Sequence, residues 1–199
     1  VDSLFNACED WQELLTLATL AYLGPRRTAS SRLRQRDVDL DAGTIRFREK
    51  GGKVIVKPAP AEYLALLRAA WQEGGVPVGQ AEYVIPNRRP SSVRSPERSN
   101  KIVWETVRRL ATRAGVRAHP HAIRAAFAVR FDEQHPDHTL ALRDLLGHRR
   151  LETTVIYLRR RDKARSMRVV GDLSWGAAAG FPVTAASREG AYGIRTRAT

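Results

Sequence analysis

Cysteine is nearly absent: Cys8 stands alone among 199 residues. A lone thiol excludes an internal disulfide framework and a cage of cysteine ligands, and it fits a reducing compartment. No apolar run approaches the roughly 18 residues that a bilayer-spanning helix needs, and no charged leader with an apolar stretch follows Val1, so neither a membrane span nor a signal peptide is expected. A start at Val1 rather than Met points to a fragment or processed piece. There is no GxxxxGK loop to cradle a nucleotide. Five histidines include the short spacings His119/His121 and His135/His138. Without an HExxH pair or cysteines to complete a ligand set, no metal site is supported and no cofactor is expected.

Negative charge is also in short supply. There are 21 Asp and Glu against 34 Lys and Arg, for a formal net charge of +13. The cations are spread along the whole chain rather than gathered in a tail. A folded domain so unbalanced faces a polyanion, and nucleic acid leads the candidates. The anionic membrane alternative lacks a long basic helix with bulky apolar residues opposite.

Hydrophobic residues make up 43% of the chain, enough for one domain with a sizeable core. The spacing of Trp11, Leu14, Leu15, Ala18 and Tyr22 predicts a helix over 9–23 with one apolar face. Gly24 and Pro25 break it, and Pro25 suits the first position of a second helix over about 26–36. A turn-rich stretch precedes the alternating TIRFRE, and Lys50-Gly51-Gly52-Lys53 reverses the chain into VIVK, which makes a hairpin. Further helices are expected over 60–72, 101–114, 121–134, 138–146 and 151–165. Residues 74–100 read as loop apart from the short YVIP. The expected fold class is mainly α with a small antiparallel β-hairpin or sheet (α+β), with the domain over 1–170 and a mobile tail over 171–199.

Two stretches could carry chemistry. In HPHAIRAAF (119–127) His121 and Arg124 share a helix face near an N-terminus, where backbone N–H groups favour an anion. In LLGHRRLETTVIYL (145–158) His148 follows a glycine, and Tyr157 stands nine residues later, off the Leu151/Val155/Leu158 stripe. Each has an ordinary reading alone: a solvated His/Arg pair, a histidine satisfying a helix end, a surface tyrosine. Lys50 alone is a charged turn residue, and Arg26 an unremarkable helix start.

Taken jointly and in order, LGPRRTASSRLRQRDVDLDAGTIRFREKGGK, HPHAIRAAFA and LLGHRRLETTVIYL resemble the catalytic domain of tyrosine recombinases, the phage integrases and their kin. The resemblance covers about residues 9–165. It implies that Arg26, Lys50, His121, Arg124, His148 and the nucleophile Tyr157 form one catalytic set, with the tyrosine-recombinase catalytic-domain fold around it. Counting back from LRQRDVD puts Arg26, not Arg27, on the family arginine. Lys50 fits the family lysine by its distance from Arg26, with Lys53 three residues away. The chain departs from the pattern at Ala29, where a Glu is common, and at Ala125, where a His is frequent. The N-terminal DNA-clamping domain usual in the family is expected to be missing.

The resemblance implies site-specific recombination of double-stranded DNA, in the cytoplasm at the nucleoid, by a homo-tetramer on paired sites, without metal or ATP. The chemistry of the six residues agrees. Arginine forks clamp a phosphate and neutralise growing charge. Tyrosine, with an unperturbed pKa of about 10, needs a cationic site or a base before it can attack and hold the bond as a phosphotyrosine. Lys50 is suited to protonate the leaving oxygen, His121 to act as acid or base, and His148 to bond a phosphate oxygen. The rivals are a non-catalytic DNA-binding relic of the fold, a type IB topoisomerase and a basic RNA-binding module.

Overall fold

The computed structural model describes residues 1–79, 83–86, 101–136 and 138–148 together with 150, 153, 154 and 156, the side chain of Lys50 excepted. Among them the chain forms α1 (Asp2–Asn6), α2 (Trp11–Leu23), α3 (Arg27–Ser31), β1 (Val38–Asp39), β2 (Thr44–Arg48), β3 (Val54–Pro58), α4 (Ala61–Glu73), α5 (Lys101–Arg113), α6 (Pro120–Gln134) and α7 (Thr139–Leu146). The strands make one antiparallel sheet in the order β1-β2-β3. The mainly helical fold with a small antiparallel sheet is therefore as expected.

Helix α2 is the axle. It packs against α4, α5 and α6, and every residue from Glu13 to Ala21 is buried. The expected single apolar face is thus corrected: the helix is enclosed on all sides, which is the fate of a helix without a polar face. Its polar residues are satisfied internally. Asp10 caps the first turn by accepting from Glu13 N at 2.8 Å, and Thr19 Oγ1 bonds Leu15 O at 2.7 Å and lies 3.1 Å from Tyr63 Oη on α4. Burial would raise the pKa of Glu13, but hydrogen bonds from Arg113, Glu9 N and Arg109 hold it below the ordinary carboxylate value.

The second expected helix is cut short. Only Arg27–Ser31 is α-helical, a single 3-10 turn follows at Gln35–Asp37, and Pro25 precedes the N-cap Arg26 rather than opening the helix. Part of the stretch read as turns is β1, pairing Val38 with Ile45. The hairpin is as expected: Phe47 faces Ile55 and Arg48 faces Val54 across β2 and β3, and Glu49 N donates to Lys53 O at 2.7 Å to close the Lys50–Gly52 turn. YVIP is reduced to a bridge between Tyr83 and Arg34 and a bond from Val84 N to Leu33 O. The indole of Trp71 donates to Val84 O at 2.9 Å and pins that segment to α4. Positions 153, 154 and 156 of the expected helix over 151–165 are helical; its remainder and the tail over 171–199 lie outside the described residues.

Gly24 ends α2 in the left-handed region, φ 55°, and α6 crosses directly over it. A Cβ there would lie 2.3 Å from Phe127 Cδ1. Gly51, also at positive φ (78°), has open space around it. Gly24→Ala should therefore cost about 2–5 kcal/mol, strain plus a clash, and Gly51→Ala about 1–2 kcal/mol of strain alone. Urea denaturation midpoints at unchanged slope would show this; equal losses at both positions would show that Phe127 yields.

Candidate active site

The site grows from three chain corners. The first is Leu23-Gly24-Pro25-Arg26. Gly24 turns the chain out of α2, and Arg26 follows in extended conformation (φ −69°, ψ 151°) as the N-cap of α3. Its side chain is 37% exposed, and Nη1 meets Glu49 Oε2 at 2.6 Å, with the Glu49 side chain buried to 2%. The neighbouring Arg27 goes elsewhere: its guanidinium lies 5.8 Å from the Trp104 ring centroid on α5.

The second corner is the start of α6. His119 caps it, its Nδ1 accepting from Ala122 N at 3.1 Å. His121 is exposed and stacks on His119 with ring centroids 6.3 Å apart. Arg124 is not the solvated surface cation that its motif alone allows. It is 2% exposed, donating from Nη1 to Gly24 O at 2.6 Å and from Nη2 to Leu146 O at 2.5 Å. Those carbonyls close the C-terminal ends of α2 and α7, where the helix dipoles favour a cation.

The third corner is Leu146-Gly147-His148. Gly147 caps α7 at φ 64°, and a Cβ on it would strike Ile55 Cδ1 of the hairpin at 2.3 Å and approach Arg26 Nη1 to 3.8 Å. His148 is buried. Its Nε2 is 3.3 Å from Arg124 Nη2 and its Nδ1 is 2.9 Å from Thr154 Oγ1. Guanidinium nitrogen can only donate, so we assign Nε2 as acceptor and the ring proton to Nδ1, toward Thr154. Burial first, then the charges of Arg124 and Arg26, push the His148 pKa down to about 4. At neutral pH it is an uncharged imidazole. His121 contributes to the same depression, which places it within electrostatic reach.

Arg26, Arg124 and His148 are thus brought together, with His121 within electrostatic reach of His148. Arg26, Glu49, Gly51, Lys53, Gly147 and His148 line an open cavity of about 530 Å³. The backbone of Lys50 lies in the hairpin turn beside it; the side chain of Lys50 and all of Tyr157 lie outside the described residues. Ala29 is buried in α3 and provides no carboxylate.

Sequence reasoning passed over two buried residues here, Glu49 and Lys57. Strand alternation could have found both: Ile45, Phe47 and Glu49 continue one face, as do Ile55 and Lys57. Lys57 Nζ donates to Leu23 O at 2.6 Å and sits 5.2 Å from the Phe47 ring centroid. Desolvation first, then Arg124 and Arg26 against the opposing charge of Glu49, push its pKa down to about 7. The cavity itself carries Arg26, Lys53 and Arg150 on its walls, donors whose charge and geometry suit an anion.

Comparisons with known proteins bear on the family and the fold. The model of the phage integrase family matches residues 1–164. The tyrosine recombinase XerC of Xanthomonas campestris pv. campestris (strain B100) is 34% identical over 137 residues, 67% of this chain and 40% of that protein. The tyrosine recombinase XerA of Thermococcus kodakarensis is 35% identical over 147 residues, 73% of this chain and 50% of that protein. The chain therefore spans half or less of the length of these two relatives. Among solved structures, the XerA recombinase crystal structure has a TM-score of 0.67 at 21% identity, covering 85% of this chain and 63% of that one. The XerH recombinase bound to palindromic difH substrate in a post-cleavage complex has a TM-score of 0.64 at 22% identity, covering 83% and 50%. A lambda integrase dimer bound to a COC′ core site has a TM-score of 0.62 at 16% identity, covering 86% and 49%. At these identities the solved structures establish the shared fold.

Lys57 gives the site a signature in stability. Its folded pKa of about 7 lies below the ordinary 10.5, so above pH 7 the unfolded chain holds a proton that the folded one has lost. Stability then rises with pH, approaching about 1.4 kcal/mol per pH unit from this group. Up to pH 8.5 the thiol of Cys8, ordinarily titrating near 9.0 and raised in the fold to about 12, opposes it only weakly. Between pH 7 and 8.5 wild-type stability in urea should climb, and Lys57→Met should flatten the slope; parallel slopes would show that the amine keeps its proton.

Proposed function

Because the chain belongs to the phage integrase family, we propose that it cuts and rejoins double-stranded DNA at specific sites through a covalent link to Tyr157. The observation that carries this reading is the convergence of Arg26 and His148, from two separate corners, on one cavity beside the hairpin turn of Lys50, with Arg124 bonded to His148 behind it.

The reaction divides into steps that these residues can serve. A phosphate of the DNA backbone enters the cavity and is held by Arg26 and Arg124, whose donors strengthen as charge grows on the nonbridging oxygens. The phenol of Tyr157 gives up its proton to a base, a role that His121 can take, and its oxygen forms the new bond to phosphorus. The bond from phosphorus to the 5′ oxygen breaks as Lys50 delivers a proton to that oxygen. The products are a 3′-phosphotyrosyl link and a free 5′ hydroxyl. A 5′ hydroxyl from a partner strand then attacks the same phosphorus and releases Tyr157, so the link conserves the energy of the cut bond. Two guanidiniums provide the charge that such a step requires, and no metal or nucleotide enters this scheme. His148, uncharged and bonded to both Arg124 and Thr154, ties the phosphate clamp to a position three residues before Tyr157.

Exchange between two duplexes needs four such sites, and a homo-tetramer on paired DNA meets that need, at the nucleoid in the cytoplasm. The charge of +13 favours DNA binding that falls steeply with salt. The first rival is a DNA-binding relic of the same fold, and covalent trapping separates the two. With a nicked duplex carrying an attachment site, an SDS-resistant protein–DNA band should form in EDTA and vanish in Tyr157→Phe. Arg26→Ala should slow its formation by about 100-fold or more. A band that survives Tyr157→Phe, or that requires a divalent metal, would sink the reading.

A further inference from the structure

Among the described residues, Glu49 is the one carboxylate facing a cavity otherwise lined by cations and neutral groups. Its side chain is 2% exposed, in a place where an unpaired charge would be strongly disfavoured. Oε2 holds Arg26 Nη1 at 2.6 Å, while Oε1 is buried and has no hydrogen-bond partner among the described residues. Its backbone has a separate task, since Glu49 N donates to Lys53 O at 2.7 Å and closes the turn that contains Lys50. One residue therefore touches both halves of the clamp: the side chain fixes an arginine fork, and the main chain fixes the lysine turn. Glu49 also opposes the electrostatic pressure of Arg26 and Arg124 on their neighbours, as its effects on Lys57 and His148 show.

We propose that Glu49 is a positioning residue that locks the Lys50 hairpin to Arg26, leaving the remaining guanidinium nitrogens of Arg26 aimed into the cavity at the phosphate. The proposal rests on the phosphoryl-transfer reading of this cavity. Its physical basis is geometric. An arginine on a flexible stem samples many rotamers, and burying one end of its fork on a fixed carboxylate selects one of them. A carboxylate that was only a charge in the site would have the opposite effect on chemistry, because it would offset part of the positive field that a phosphate needs.

The two roles predict opposite outcomes for the isosteric Glu49→Gln. As a positioning residue its loss should lower the single-turnover cleavage rate at saturating DNA by about tenfold or more, with DNA affinity changed less than about threefold. Glu49→Asp, which keeps the charge and also covers a folding failure of the amide, should recover most of the rate. Cleavage by Glu49→Gln at the wild-type rate or faster would overturn the proposal, as would a loss that only follows DNA affinity. A second readout needs no chemistry. Amide hydrogen exchange at Glu49, whose N–H closes the turn, should quicken by about tenfold in both Glu49→Gln and Arg26→Ala, while Phe47 deeper in the sheet stays protected. Unchanged exchange in both variants would overturn the lock whatever the cleavage data say. If wild-type protein forms no adduct through Tyr157, the parent reading falls, and hydrogen exchange still decides whether the lock exists.

Discussion

A single buried guanidinium organises this molecule. Arg124 reaches from the middle of the domain to the last carbonyls of two helices, Gly24 O beyond α2 and Leu146 O at the end of α7, and then to His148. Helix C-termini carry unpaired carbonyls that must be satisfied, and a cation satisfies them best. The consequence is that two helix ends far apart in sequence are drawn to one point. Whatever follows each end, Arg26 in one case and His148 in the other, emerges beside the same cavity. Structure and site share the residue: the group that closes the helices also holds the imidazole that lines the cavity.

Around that point the protein manages an excess of positive charge. Arg26, Arg124 and Lys57 would repel one another in a dry setting. The arrangement is held by carbonyl dipoles at Gly24, Leu23 and Leu146, by the faces of Phe47 and Phe127 near the Lys57 amine, and by one carboxylate, Glu49. Even so, His148 is left uncharged and Lys57 close to losing its proton. A site tuned in this way has spare capacity for an anion, which would relieve every one of these stresses.

Much of this was readable in the residues. The periodicity of 60–72 and 101–114 located α4 and α5 to within a residue or so, and Lys50-Gly-Gly-Lys53 located the hairpin, because these signals are local. Arg26 was separable from Arg27 by counting, and the structure sends the two in different directions. The misses came from tertiary context. That α2 is enclosed on every side depends on three partner helices. The shortened α3 reflects Leu33 and Arg34 pairing with the distant Val84 and Tyr83. Arg124 looks like a solvated helix residue until the two carbonyls it serves are known. Glu49 and Lys57 lay within reach of strand alternation, yet charged types at inward positions are easily assigned to solvent.

Gly24 also sets a rule for how this chain can vary in length. Its carbonyl takes Arg124, its bare α-carbon receives Phe127, and two residues later Arg26 must reach Glu49. Adding or removing one residue between Leu23 and Arg27 would displace the arginine by about 3.8 Å, beyond the tolerance of any hydrogen bond it makes. Insertions and deletions are therefore excluded from this corner. Variation in this site has to work through the rims of the cavity, with the corner beneath it frozen in length.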